Sequence, residues 1–318
     1  MVSFTNVLTI YKMKRLILSV ILIGGMTQSC SDVYKNKITI GKDSVEKDAI
    51  ELSQNRFNAY WYNGEAEITS YKLNQSRYGE IHEGHSVLIY VTEQFLPKKQ
   101  LKANKPSNTN VPVLKLNSTK KYLTGIYPYS IMSSVFSPIN GGGHAVKSTF
   151  SYQEWCGQTY VQLNNRDKFE IESHSYFEGD GDKEMKLKKA YLENDIWTTI
   201  RISPNELPIG NHEMIPSLEF LTMQQKEIKS YAVITSQENK GGFSYYNIDY
   251  PELDRKLVIQ YNSEFPFIIE GWEETFKSDF VRDGVELTSR AERLSTIKSD
   301  YWNKNKTSDR FIRNQLNL

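Results

Sequence analysis

Cysteine is scarce in this sequence of 318 residues, which contains only Cys30 and Cys156. If Cys30 is modified, as argued below, Cys156 is the single thiol of the mature chain and no internal disulfide can form. The stability of an exported protein of this kind must then come from the burial of a hydrophobic core. Cys156 lies in Glu154-Trp155-Cys156-Gly157, an aromatic, strand-like setting that favours a buried thiol over a reactive one.

A strong net charge and a long apolar run are also absent. The 39 Lys and Arg residues nearly balance the 38 Asp and Glu residues, which argues against a nucleic-acid partner. Apolar residues at 39 % and charged residues at 24 % are typical of a folded protein rather than a disordered one. The apolar segment at residues 16–23 is shorter than the about 20 residues that span a bilayer.

The first 29 residues have the layout of a secretory signal. Three basic residues precede the apolar segment, and small residues follow it before Cys30. Secretory signals usually have basic residues directly after the initiating methionine, and a basic pair directly follows Met13. Met13 is therefore an alternative to Met1 as the start of the chain.

Thr27-Gln28-Ser29-Cys30 resembles the lipobox of bacterial lipoproteins, in which the signal is removed and the cysteine is lipidated. Ser29 fits that motif, whereas Thr27 and Gln28 depart from it. We therefore predict a lipoprotein signal peptide over 1–29, lipidation of Cys30 and a polar tether over 30–42. The protein is expected to be exported and anchored in a membrane through Cys30, on the periplasmic or outer-membrane face of the bacterial envelope. Ordinary cleavage without lipid and a retained membrane anchor are the alternatives.

The body of the chain has the composition and patterning of β structure. It is rich in aromatic residues, with 20 Tyr and 14 Phe. Runs such as Val87-Leu88-Ile89-Tyr90-Val91 and Trp197-Thr198-Thr199-Ile200-Arg201 are β-branched or aromatic, and turn signals such as Asn63-Gly64 separate them. About a dozen such strands without a long intervening helix predict an all-β, mainly antiparallel fold: a large curved sheet, an open barrel or a sandwich.

Short helices are predicted at both ends of the β-rich part. Asp43-Ser44-Val45-Glu46 has a capping-box pattern and predicts a helix over 44–56. Ser289-x-x-Glu292 is a second capping box, and apolar residues from Leu287 to Ile297 follow helical spacing. We therefore divide the chain into the signal, the tether, a single β-rich domain at 43–286, and a C-terminal helix and tail at 287–318. The last residues, from 303, are polar and are expected to fray.

Three motifs look like known sites but lack the required spacing. His82-Glu83-Gly84-His85 does not have the four-residue helical spacing of a zinc protease. Segment 141–148 lacks the glycine that precedes the lysine of a phosphate-binding loop, and acidic segment 178–184 lacks the sixth-position glycine of an EF-hand. We expect turns or loops at all three, and predict no metal, no cofactor and no identifiable catalytic residue.

Residues 94–153 contain no Asp or Glu, although a stretch of this length would hold about seven at the average of the chain. Eight lysines lie in this acid-free stretch. A cationic face on a membrane-tethered protein can bind anionic headgroups or an acidic partner, but lysines also protect the edges of sheets from aggregation. The residues that we assign to binding of an anionic surface are Lys98, Lys99, Lys102, Lys105, Lys120 and Lys121.

Five short motifs, together with the signal, point to a family. They are Val91-Thr92-Glu93, Lys98-Lys99-Gln100, Thr124-Gly125-Ile126-Tyr127-Pro128-Tyr129-Ser130, Gln153-Glu154-Trp155-Cys156-Gly157 and Ile269-Glu270-Gly271-Trp272-Glu273-Glu274. Over residues 50–276 the chain resembles a family of Bacteroidota lipoproteins, sometimes called septum formation inhibitor or Maf-like proteins. The resemblance implies export but no established activity. The Ser-rich opening with paired Arg of genuine Maf pyrophosphatases is missing here, so their nucleotide chemistry is not implied.

These observations lead to three functional hypotheses. We expect an anchored, non-enzymatic envelope protein whose curved, aromatic-rich sheet binds an amphipathic ligand or a partner protein of the envelope. One alternative is an exported hydrolase acting on envelope material, in which His144 or His174 pairs with a nucleophile such as Cys156 or a serine. The other alternative is a scaffold that docks on an anionic surface through its lysine-rich stretch.

Overall fold

Alternation of apolar and polar side chains makes most of this chain into strands. A computed structural model of the protein describes residues 42–141, 143–278 and 284–318. Its strands form one large, mainly antiparallel sheet that is not closed, which confirms the predicted fold class. Residues 49–318 form one unit, and residues 42–48 are the described part of the other. The predicted signal, Cys30 and the tether up to residue 41 lie outside the described residues.

The helices and strands of the described ranges have the following bounds. The helices are α1 (Lys42–Trp61), α2 (Glu193–Ile202), α3 (Leu218–Met223) and α4 (Ile312–Gln315). The strands are β1 (Ala66–Arg77), β2 (Glu80–Leu96), β3 (Leu101–Lys102), β4 (Val111–Thr124), β5 (Tyr127–Pro138), β6 (Lys147–Glu154), β7 (Gly157–Asn165), β8 (Phe169–Ser175), β9 (Lys183–Leu187), β10 (Tyr191–Leu192), β11 (Gly210–Ile215), β12 (Tyr231–Lys240), β13 (Phe243–Tyr250), β14 (Arg255–Asn262), β15 (Ile269–Lys277) and β16 (Glu286–Ser299).

Most strands pair with their neighbours in the sequence. The order across the sheet is β10-β11-β12-β13-β14-β15-β16-β1-β2-β4-β5-β6-β7-β8-β9, and β3 pairs with β2. The two edge strands, β9 and β10, are consecutive in the chain, and residues 188–190 connect them. Because a connection of three residues spans at most about 14 Å, the two edges of the sheet lie close together.

Helix α2 lies against the concave face of the sheet and explains its curvature. The Trp197 ring packs edge-on against Trp272 of β15, with 5.2 Å between ring centroids. The Trp197 carbonyl accepts a hydrogen bond of 3.1 Å from Tyr90 of β2, and the Asp195 carboxylate accepts one from Ser137 of β5. From β15 to β5 a flat sheet would extend about 24 Å, whereas a helix is only about 10–12 Å wide. The sheet must therefore curl around α2.

The strand expected at 197–201 is thus part of α2, and that expectation was wrong. Ile196 and Ile200 are four residues apart, and both are buried against the sheet. Burial of this helical face outweighs the β propensity of the aromatic and β-branched residues between them.

Two buried ion pairs fasten the ends of α2. In its last turn Arg201 donates two hydrogen bonds of 2.6 Å to Glu67 of β1, and both side chains are at most 1 % exposed. In its first turn Glu193 accepts a hydrogen bond of 2.8 Å from Arg255 of β14. The Tyr60 hydroxyl also donates to Glu67. Burial alone would favour neutral Glu67, but the adjacent Arg201 outweighs burial and holds the pKa of Glu67 below its usual value.

Helix α1 packs beside the Arg201 end of α2. It confirms the helix predicted over 44–56 and is longer at both ends. Trp61 is buried, its carbonyl accepts a hydrogen bond of 2.9 Å from Thr92, and the guanidinium of Arg201 lies 5.1 Å from the centre of its ring. Phe57 packs against Phe265, with 6.4 Å between ring centroids. These contacts cover the interior of the sheet at this end.

The C-terminal helix predicted from Leu287 is wrong, because this segment is strand β16 between β15 and β1. Ala291 is buried with the interior cluster, whereas Ile297 packs with a cluster on the outer face. A register shift opposite Ser70 and Tyr71 inserts an extra residue in β16 and changes the side that later residues face. The apparent helical spacing therefore combines two halves of a bulged strand.

The last residues are also more ordered than expected. Instead of a frayed tail, the segment after β16 forms short 3₁₀ turns and α4. Leu316 is only 7 % exposed and packs with Ala66, Ile68 and Val91 on the outer face. The hydroxyl of Ser70 donates a hydrogen bond of 2.5 Å to the Leu316 carbonyl. The segment thus covers an apolar patch on the outer face of the sheet.

We predict that Glu67→Ala lowers the free energy of unfolding by about 3–5 kcal/mol, because it leaves Arg201 buried without its anion. The matched control is Glu273→Ala, whose partner Arg290 lies 3.0 Å away, with both side chains 56 % exposed. This control should cost at most about 1 kcal/mol. Urea unfolding followed by circular dichroism measures both values. Equal losses in the two variants would contradict a structural role for the buried pair.

Candidate functional site

We compare two of the hollows formed by the described residues as candidate sites, and the first is an inner cavity of about 70 Å³ beside α2 and α3. Charged side chains line it in compensated pairs. Lys120 lies 2.6 Å from Glu219, and Arg255 lies 2.6 Å from Glu274 in addition to its bond with Glu193. Since positive and negative groups are matched, the cavity has little excess charge to offer an ionic ligand.

The inner cavity suits solvent better than a lipid chain. Gln75 Oε1, the Tyr122 hydroxyl and Ser133 Oγ line it, are buried, and have no hydrogen-bond partner among the described residues. Burial raises the pKa of Tyr122, so this hydroxyl stays protonated. Buried polar atoms without partners are common sites of ordered water, and a cavity of about 70 Å³ has room for water but is small for an amphipathic molecule.

The second hollow is an open groove of about 980 Å³ on the outer face of β5, β6, β7 and β8, which we call the Trp155 groove. Its floor contains a row of outward side chains that are opposite each other in the sheet register: Met132, Ser151, Tyr160 and His174. The adjacent row includes Ser130, Gln153 and Gln158. The exposed rings of Trp155 and Tyr176 stand at the end of the strands.

The turn between β6 and β7 positions Trp155 and Cys156. Glu154 and Gly157 pair across this two-residue turn, and a carboxylate oxygen of Glu154 accepts a hydrogen bond of 2.7 Å from the Cys156 amide. A Cβ at Gly157 would lie 3.0 Å from the Tyr176 ring, so this ring rests against the turn. The absence of a side chain at Gly157 thus lets the Tyr176 ring approach the turn beside Trp155.

Cys156 is exposed, so the expectation of a buried thiol was wrong. It belongs to the turn and not to a strand, so neither face of the sheet buries it. The neighbouring Glu154 carboxylate raises the pKa of the Cys156 thiol through a hydrogen bond and charge repulsion. A raised pKa lowers the thiolate fraction, which is the opposite of what a catalytic cysteine requires.

The histidines do not form the nucleophile–base pair that the hydrolase hypothesis requires. Nδ1 of His174 lies 3.4 Å from Asp182 in the Trp155 groove, whereas His144 packs edge-on against Phe169. In the described part of the chain, no histidine is hydrogen-bonded to a serine or cysteine side chain. Buried Asp195 accepts the hydrogen bond of Ser137 directly, without an intervening imidazole.

The structure separates the lysines that were assigned to one face. Lys98, Lys99, Lys102 and Lys105 are exposed in the connection between β2 and β4, where Lys102 also pairs with Glu93 at 3.0 Å. They form a cationic loop at one end of β4.

Lys120 and Lys121 lie near the other end of β4 and face opposite sides of the sheet. Lys121 is exposed and lies opposite Ser130, beside the Trp155 groove. Lys120 is only 7 % exposed and is bound to Glu219 in the interior. The assignment of Lys120 to an anionic surface is therefore wrong, because consecutive strand residues face opposite sides.

The groove residues escape notice in the sequence because they come from four strands and the turns that join them. One signal was present. Trp155 and Cys156 separate two segments of alternating apolar and polar residues. A connection of two residues is the length of a tight hairpin turn, and side chains in such a turn are exposed. Tyr160 and His174 could be assigned to the same row only once the strand register was known.

Neither similarity to known proteins nor a cluster of metal-binding side chains in the described residues identifies the function of the groove. In comparisons with known proteins, no family model, no curated protein and no solved structure matches the chain. Within the described ranges, no three His, Cys, Asp or Glu side chains come together in a way that could hold a metal ion. Among the helices of the described residues, none is both long and apolar enough to cross a bilayer. The resemblance to Bacteroidota lipoproteins stays a prediction.

We predict that Glu154→Gln speeds the alkylation of Cys156 by iodoacetamide at pH 7.5. Removing the carboxylate lowers the pKa of the thiol, so the thiolate fraction rises and the pH–rate curve moves to lower pH. Mass spectrometry of the Cys156 peptide measures the rate. The matched control, Glu172→Gln, changes an exposed acid on β8 and should leave the rate unchanged. A Glu154→Gln rate equal to that of the original protein would show that Glu154 does not control the thiol.

Proposed function

We propose that this protein is a lipid-anchored, exported protein of the bacterial cell envelope that binds an amphipathic ligand in the Trp155 groove. The observation that carries the proposal is the groove itself. Its volume of about 980 Å³ and its mixture of exposed aromatic rings with hydroxyl and amide groups suit a molecule with both apolar and polar faces. The signal-like start and the lipobox-like segment at Cys30 support the location.

The outer face is a better place for this ligand than the interior. The concave face is filled by α2, α3 and one large hydrophobic cluster. Three residues of α3, Leu218, Phe220 and Leu221, are at most 4 % exposed. A ligand larger than the inner cavity could bind beside α3 only by displacing side chains of the core, at a cost of several kcal/mol.

A second candidate role, docking on an anionic surface, involves four of the six assigned lysines. The cationic loop holds Lys98, Lys99, Lys102 and Lys105 on a single exposed connection, which supports docking on anionic headgroups or on an acidic partner. Each such lysine near an anionic membrane contributes about 1 kcal/mol. Lys121 lies at the far end of β4 and Lys120 in the interior, so neither adds to this contact.

We predict that Cys30→Ser abolishes labelling of the protein by an alkyne analogue of palmitate and moves it from the membrane to the soluble fraction. Loss of the thiol removes the atom that would carry the lipid. The matched control is Cys156→Ser, which removes the other cysteine and should keep both label and membrane association. Equal labelling of the Cys30→Ser protein would contradict lipidation at this position.

We predict that the full chain carrying Cys30→Ser binds n-octyl glucoside, a neutral amphipathic probe, below its micelle concentration. Binding is measured by isothermal titration. Adding Trp155→Ala with Tyr176→Ala should weaken it by about tenfold or more, because two exposed rings are lost. As a control, Trp302→Ala removes a ring that is 46 % exposed but lies outside the groove. Unchanged binding in the double variant would place the ligand elsewhere.

A further inference from the structure

We infer that the Trp155 groove binds a neutral oligosaccharide, an inference that rests on the proposed function and specifies the class of ligand. The groove combines two exposed aromatic rings, a polar floor and a lining that has no Lys or Arg among the described residues. Each of these features favours a polyhydroxylated chain with apolar C–H faces.

The aromatic rings give the apolar contact. Trp155 is 69 % exposed and Tyr176 is 77 % exposed, which is unusual for side chains of this size. The electron-rich face of an aromatic ring attracts the positive edges of C–H groups. The pyranose ring of a sugar presents such C–H groups on one face and its hydroxyls at the rim, so it can stack on these side chains while its hydroxyls stay polar.

The floor supplies hydrogen-bonding groups of the appropriate kind. Gln153 of β6 and Gln158 of β7 are direct partners in the sheet register and are both exposed. Each carboxamide offers two donor hydrogens and one acceptor oxygen, so it can pair with a hydroxyl in either role. Ser130 and Ser151 add hydroxyls on the neighbouring positions.

The charges in the groove disfavour an anionic ligand. No Lys or Arg belongs to the lining in the described part of the chain, while Glu154 and Asp182 do. A phosphate or carboxylate would therefore meet two like charges and no counter-charge from the lining. This arrangement argues against phospholipid headgroups and acidic polysaccharides. The same two carboxylates can accept hydrogen bonds from the hydroxyls of a neutral sugar.

The position of the groove also argues against a peptide or an acyl chain. β5, β6, β7 and β8 are each paired on both sides, so the floor has no free strand edge to which an extended peptide could add. The groove is open along the outer face, so an acyl chain would stay partly in water. The row from Met132 to His174 spans about 14 Å, which gives a chain of several sugar units a continuous surface.

The test uses isothermal titration of the full chain carrying Cys30→Ser with four neutral hexasaccharides: maltohexaose, cellohexaose, xylohexaose and chitohexaose. We expect at least one to bind with a Kd below about 1 mM. Trp155→Ala and Tyr176→Ala should each weaken that binding by about tenfold. Trp302→Ala is the matched control and should have no effect. A hexasaccharide of galacturonic acid, which carries carboxylates, should bind more weakly than the neutral chain.

The outcomes separate this inference from the function on which it rests. If n-octyl glucoside binds in the groove and none of the four hexasaccharides binds, the inference is overturned and the proposed function stands. If neither probe binds, both fail. Equal affinity for the galacturonic acid chain, or an equal loss of affinity in the Trp302→Ala variant, would also overturn the inference.

Discussion

The fastening of α2 inside the sheet is the constraint on which the rest of the structure depends. Glu193 in its first turn and Arg201 in its last turn hold it to β14 and β1, which are three strands apart in the sheet order. Both charges also have the favourable sign for the helix dipole at their end. Together with the contacts of Trp197 with β15 and of Asp195 with β5, the ion pairs hold the sheet curled around the helix. Replacing both partners with apolar residues could keep the helix buried, but it would remove the directional contacts that fix its orientation.

Filling the concave face has a consequence for function. With α2 and α3 inside, the cavity beside them measures only about 70 Å³, whereas the Trp155 groove on the outer face measures about 980 Å³. The outer face is itself divided. The segment that contains Leu316 covers the apolar patch of β1 and β2, whereas β5 to β8 carry the open Trp155 groove. Within the described ranges, intramolecular contacts thus cover one patch of the outer face and leave the groove accessible to a ligand.

The parts of the fold that could be predicted from the sequence are those governed by local patterning. Alternation of side chains predicted the strands, and the capping box at Asp43 predicted α1. The errors arose where tertiary contacts, and not local patterning, determine the secondary structure. A helix was missed at α2 because its β-branched run is helical only against the sheet, and one was wrongly predicted at β16 because a bulge changes the facing of its apolar residues. The groove depends on the pairing of β5 to β8, which no single segment encodes.

Charge counted along the chain does not translate into charge on a face. The acid-free stretch contains β4, which extends about 43 Å between its two ends. The cationic loop precedes one end, while Lys121 and the Trp155 groove lie near the other. A surface that meets the cationic loop end-on is therefore tens of ångströms from the groove. If that loop docks on the anionic headgroups of a membrane, the groove is held away from those headgroups and faces the soluble or polysaccharide material beyond them. The separation favours a ligand outside the bilayer, in agreement with a groove lining that has two acidic side chains and, among the described residues, no Lys or Arg.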